Sequence, residues 1–167
     1  MIEITKSIIA LVVAELGIPI IRKDQGGKMP SGNFAAYKVM SVNGEKWNSK
    51  RVIDNPDPLK ITERYSKTFV AVVSLSFYSL TSIADIHLLA EKAVDFLQVK
   101  GREQLDSLQV IVDLDNGNIT DRTTYLEPIY EYQIGFDFKI MLRKELNVEL
   151  HTLDLPLSIE ESSLTLT

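Results

Sequence analysis

The chain has 167 residues, 45% of them hydrophobic and 25% charged, with a formal net charge of -5 at pH 7 and no cysteine. That length suits one domain with a real core and is too short for two ordinary ones, and the composition indicates neither wholesale disorder nor a membrane protein. The missing cysteines remove disulfides, thiol catalysis and thiolate metal sites together.

The charge is unevenly placed. All 18 Lys and Arg precede Glu145, while Glu145, Glu149, Asp154, Glu160 and Glu161 follow the last of them, Lys144. Residues 1–144 are therefore formally neutral, and the acidic excess sits after them. This disfavours a basic or sequence-specific nucleic-acid binder, since such binding needs Lys and Arg to neutralise phosphates.

Residues 3–16 read as a helix, with Ile4, Ile8, Leu11, Val12 and Leu16 on one stripe and Gly17 and Pro19 as its stop. Its apolar run Ile8–Ala14 is too short to cross a bilayer, which takes about 20 residues. Lys6 ahead of that run gives it the outline of a signal peptide, but Glu3 lies in the would-be basic region and no A-x-A site follows. Residues 25–33 are turn-rich without a P-loop pattern, and residues 34–42 give a strand of imperfect alternation.

Residues 43–64 show no clear periodicity. Asn43-Gly44 signals a hairpin pairing 38–42 with 45–48. Lys46, Lys50, Arg51, Lys60 and Arg64 nearly balance Glu45, Asp54, Asp57 and Glu63. The stretch is a solvated loop or a protruding arm that touches a partner. In the second case Trp47 is the natural anchor, since large aromatics concentrate at interface hot spots, with Arg51 beside it as a further contact.

Phe69, Ala71, Val73, Leu75 and Phe77 alternate as the apolar face of a second strand. Ser82, three positions before Asp85, opens a helix in the manner of a capping box. Ile83, Ile86, Leu89, Ala90, Ala93, Val94 and Leu97 form its buried stripe, and Gly101 is expected to end it. His87 stands alone on this helix as a surface or packing residue. Leu108, Val110, Val112 and Leu114 mark a third strand that stops at Asn116-Gly117; the acids around it fail the EF-hand spacing, because Asn118 and Thr124 occupy the places of the glycine and the last acid.

The strongest signal is Tyr130–Leu142. Tyr130, Tyr132, Ile134, Phe136, Phe138, Ile140 and Leu142 alternate with mostly polar residues, the mark of a long strand with one buried face. Leu153, Leu155, Leu157 and Ile159 alternate again, with Pro156 excluding a central strand; this is an edge strand, an arm that adds itself to another chain, or a frayed terminus. The expected fold is α+β, a single mainly antiparallel sheet packed against two helices. It carries a long loop arm, with one domain over 1–144 and an acidic extended tail over 145–167.

The usual metal, nucleophile and nucleotide motifs are absent. No catalytic, cofactor or metal residue is expected, and the protein reads as a non-enzyme. The sequence Tyr130-Glu131-Tyr132-Gln-Ile-Gly135-Phe136-Asp137-Phe138, the strand Val70–Tyr78 preceded by Glu63 and Tyr65, and the 90–97 helix together resemble the tail terminator or neck terminator proteins of tailed bacteriophages. Gln133 stands near where that family commonly has a basic residue.

The resemblance implies a virion protein of the neck or tail end, assembled in the host cytoplasm. It would form a homo-oligomeric ring, typically a hexamer, on the tail tube protein and dock head-completion proteins, with no cofactor and no membrane partner. Trp47, Arg51, Leu153, Leu155 and Leu157 are then the candidate partner-binding residues. The β-α-β-β order over 69–142 also permits a ferredoxin-like regulatory or ligand-binding domain. An RNA-recognition sheet lacks its basic and aromatic signature.

Overall fold

The structure, a computed structural model, describes residues 1–151 apart from 27–28, 45, 48, 54, 58, 115–116 and 127–128. Helix α1 (Ile2–Leu16) turns Thr5, Ile8, Ile9 and Val12 inward, the spacing of one helical face. It stops where Gly17 takes φ 68° and its N–H donates to the Val13 carbonyl, a left-handed turn that costs glycine no Cβ clash. Thr5 is buried without loss, because its hydroxyl donates to the Met1 carbonyl at 3.1 Å.

The strands are β1 (Ile20–Arg22), β2 (Phe34–Gly44), β3 (Ser49–Ile53), β4 (Lys60–Ser79), β5 (Val110–Asp113), β6 (Thr120–Asp121), β7 (Thr124–Leu126) and β8 (Ile129–His151). They hydrogen-bond in the order β1-β2-β4-β8-β5, with β3 beside β4 and both β6 and β7 beside β8. Only β1 is parallel to its neighbour among the recorded pairings. The fold is α+β on a mostly antiparallel sheet. No helix among the described residues is long and apolar enough to cross a membrane.

The chain forms two compact units, residues 1–45 with 68–144, and residues 46–67 with the chain from 145 on. In the first, the alternation expected of the two long strands is observed. Ala71, Val73, Leu75 and Phe77 of β4 and Ile134, Phe136, Phe138 and Ile140 of β8 are all buried. They share one core with α1 and with Ile86, Ala90 and Ala93 of α2 (Ile83–Asp95). Phe77 stacks on Phe136 at 6.3 Å and Phe136 meets Phe138 at 6.2 Å. The opposite sheet face exposes Lys38, Met40, Ile111 and Asp137 and carries a small buried cluster of Phe34, Ala36 and Tyr78.

Three expectations are corrected. Asn43-Gly44 is no hairpin turn: β2 runs through it, pairing Asn43 with Val70 and Gly44 with Phe69. A type I′ turn needs positive φ, which Gly44 lacks; its missing side chain instead makes room for the Phe69 ring, 3.0 Å from where a Cβ would stand. Gly101 does not end the second helix. It has φ -85°, follows a π-helical turn at Phe96–Lys100, and leads into α3 (Arg102–Ser107). A Cβ there would meet the Phe96 ring at 2.7 Å, so the glycine supplies space and not handedness. Ser82 caps α2 by accepting from Asp85 N–H at 3.2 Å, but its own N–H donates to the buried Ser79 hydroxyl and not to the Asp85 carboxylate of a capping box.

Residues 43–64, without period in the sequence, hold the end of β2, all of β3 and the start of β4. β8 likewise continues past Lys144 to His151. Central to the first unit is Gly135 on β8, where an added Cβ would run into the Leu75 carbonyl and stand 3.0 Å from Ser76 Cα. Gly135→Ala is expected to force these backbones apart and lower stability by about 1–3 kcal/mol. Urea unfolding checks this, with Gly26→Ala, which meets nothing within 4 Å, holding near the wild-type midpoint.

Candidate assembly surface

The second unit is built on a β3–β4 ladder from Ser49 opposite Ser66 to Ile53 opposite Thr62. Beyond β4 lies the end of β8: Lys60 pairs with Glu149 at 3.4 Å and Arg64 with Glu145 at 3.6 Å, and Arg64 Nε donates to Asn147 at 3.3 Å. Position 60 thus faces 149 and position 64 faces 145, so β4 and β8 are antiparallel here too. Side chains alternate along each strand. One face of this ribbon therefore carries Arg51, Arg64, Lys60, Glu145 and Glu149, and the other carries Lys50, Val52, Glu63, Tyr65 and Leu146.

Glu63 is buried on the second face. A buried carboxylate is costly unless paired, and this one is paired twice: Lys50 forms an ion pair with it, and the Tyr65 hydroxyl donates to it at 2.5 Å. The Lys50 hydrogen bond, then that of Tyr65, holds the Glu63 carboxyl below its ordinary range. The same contacts with Glu63 raise Lys50 and Tyr65. This polar knot locks β3 onto β4, while Val52 beside it is 65% exposed.

Trp47 is partly exposed, with the Lys67 ammonium 4.9 Å from its ring centre, a cation–π distance. Arg51 is exposed and sits directly opposite Arg64. The structure thus brings these two expected contact residues into the same unit. Leu153, Leu155 and Leu157 lie outside the described residues.

Sequence reasoning missed a second polar cluster, on that opposite sheet face of the first unit. Arg122, two residues from Thr120 of β6, reaches across β8 to donate to Ser74 at 2.8 Å and Ser76 at 3.3 Å on β4, and to Asp137 at 3.0 Å on β8. Burial pushes the Asp137 carboxyl up, but the Ser74 and Arg122 hydrogen bonds outweigh it and hold the group below its ordinary range. The Arg122 N–H also donates to the Gln133 carbonyl at 2.7 Å. Just past the end of β6, Arg122 is thus tied to β8 through its backbone N–H and to β4 and β8 through its guanidinium.

Among the described residues, no group of three or more His, Asp or Glu side chains is placed to hold a metal ion. A cavity of about 480 Å³ lies between α1 and β1, lined by Ile9, Val13, Ile20 and Tyr37 with Lys6 and Arg22. Its polar groups do not converge on a point.

The family model for phage neck terminator proteins matches residues 2–162. The chain belongs to that family, whose members are structural proteins of the virion neck. The match runs well past Lys144 and takes in most of the acidic segment, beyond the residues up to Phe138 that carry the sequence resemblance. No curated protein matches the sequence.

Because Glu63 is held low, the stability it adds is full above the unfolded carboxyl value of about 4.3, and is lost as pH falls through the lower folded value. Glu63→Gln is expected to lower the urea midpoint at neutral pH, with the gap to wild type closing on acidification through the carboxylate range. A gap independent of pH would count against the Lys50–Glu63–Tyr65 knot.

Proposed function

We propose that the protein assembles into a closed homo-oligomeric ring, sixfold in the simplest case, that caps the tail tube and presents a docking surface to head-completion proteins. Membership of the neck terminator family, over nearly the whole chain, carries this reading. The second unit supports it. Head-to-tail ring contacts use two different surfaces of each subunit, and residues 46–67 offer Trp47, Arg51, Val52 and Leu59 toward solvent. Trp47 and Arg51 are assigned to one side of the subunit contact, and the segment around Leu153, Leu155 and Leu157 to the other. Partners are further copies of this chain, the tail tube protein and neck proteins, and assembly takes place in the host cytoplasm.

Two measurements test the reading. Light scattering with electron microscopy is expected to show rings near six times the 18.8 kDa chain mass, formed alone or on added tube ends. Added to growing tubes, the protein is expected to stop elongation at substoichiometric amounts, and Trp47→Ala to weaken both effects while the circular dichroism stays unchanged. Tubes that lengthen normally with the protein bound along their sides would overturn the capping role.

A further inference from the structure

We infer that residues 152–161 of one copy add as a strand to the free edge of β3 in a neighbouring copy. The inference deepens the ring reading above and rests on it. β3 is paired on one side by β4, and among the described residues no strand pairs with its other side. Such an edge presents unpaired N–H and C=O groups that template another strand.

The side chains on that edge specify what is added. Across the ribbon's charged face runs a row from β8 to β3: Glu145, then Arg64, then Arg51. Like charges directly opposite one another destabilise a sheet. Arg64 is balanced by Glu145, but Arg51 is exposed and has no ion pair with a described residue. The next strand in the row should bring a carboxylate. On the opposite face Val52 is 65% exposed, so the same strand should bring an apolar side chain there.

Leu153, Leu155, Leu157 and Ile159 alternating with Asp154, Pro156, Ser158 and Glu160 have that pattern. Leucines fall on the Val52 face and Asp154 on the Arg51 face. Segment 152–167 contains Asp154, Glu160 and Glu161 and no Lys or Arg, so charge also draws it to the Lys46, Lys50 and Arg51 side. Pro156 suits an outermost strand: when Leu155 and Leu157 hydrogen-bond inward, its missing N–H points outward, where it blocks any further addition.

For Leu153 and the residues just after it, chain length selects the neighbouring copy over the same one. The position beyond β3 is three strand spacings from β8, about 14 Å. Leu153 is two residues past His151 and reaches only about 7 Å. A chain therefore cannot lay Leu153 on its own β3 edge, whereas a second copy has no such limit.

The natural chain has no cysteine, so full-length Val52→Cys and Leu155→Cys variants can be mixed and oxidised. A disulfide-linked dimer of one Val52→Cys and one Leu155→Cys chain is expected to predominate over either homodimer. The doubly substituted chain is expected to give an intermolecular ladder. Arg51→Glu in the acceptor should abolish the mixed dimer, and Asp154→Lys in the donor should restore it, a recovery that a folding defect would not show. Absence of the mixed dimer overturns the strand addition, and so does closure of the double variant on itself as a monomer. Rings that form without the mixed disulfide overturn the inference alone, whereas a mixed disulfide without tube capping overturns the terminator role alone.

Discussion

The contact on which the first unit depends is the close approach of β8 to β4 at Gly135. The β4 backbone lies so near that no Cβ fits between them. On one side of this contact Phe77, Phe136 and Phe138 stack into the core. On the other, Arg122 ties Ser74 and Ser76 of β4 to Asp137 of β8. Close backbone packing and a polar tie thus join the same two strands. The two longest strands are fixed in register by this contact as well as by ladder hydrogen bonds, since a slip of one residue would put Phe136 on the opposite sheet face.

The second unit is held differently. Its three strands carry little buried apolar surface, and the groups that fix them are ionic: Lys50 with Glu63, Arg64 with Glu145, Lys60 with Glu149. The last two are exposed pairs, individually worth little. The first is buried at the carboxylate and hydrogen-bonded a second time by Tyr65, so it carries most of the specificity of the β3–β4 register. An extension held mainly by polar contacts suits a surface that must stay dispersed alone and become buried on assembly.

This difference in cohesion explains what was legible from the residues. Where one face is buried, as at 71–77 and 134–140, the period of two is imposed by the core and can be read directly. Where the buried side chains are polar, as Glu63 and Ser66 are within 60–66, nothing forces alternation of hydrophobicity, and β3 and the first half of β4 read as loop. The glycines misled for a related reason: Gly44 and Gly101 make room for the Phe69 and Phe96 rings, a tertiary demand that no local turn rule contains. Short strands such as β1 and β6 exist only as neighbours of longer ones and have no signal of their own. Trp47 and Arg51 stood out in the sequence because an aromatic and a cation in an apparently structureless stretch need a reason to be there. Arg122 was missed because its partners are 46 and 48 residues away in sequence.

An open strand edge is a hazard for any protein that must remain unassembled until its site is ready, and charge on the edge is a common safeguard. Arg51 fulfils that condition. Placed opposite Arg64, it makes the β3 edge poor at accepting a second β3, because two such edges would align arginine against arginine. The charge that forbids self-pairing of β3 also defines what can be accepted, a strand with a carboxylate on one face and leucines on the other. In the strand addition inferred above, Pro156 would set a limit on the far side, since a strand lacking an N–H there cannot template the next. Exclusion of self-pairing and acceptance of a different strand would then rest on the same few residues.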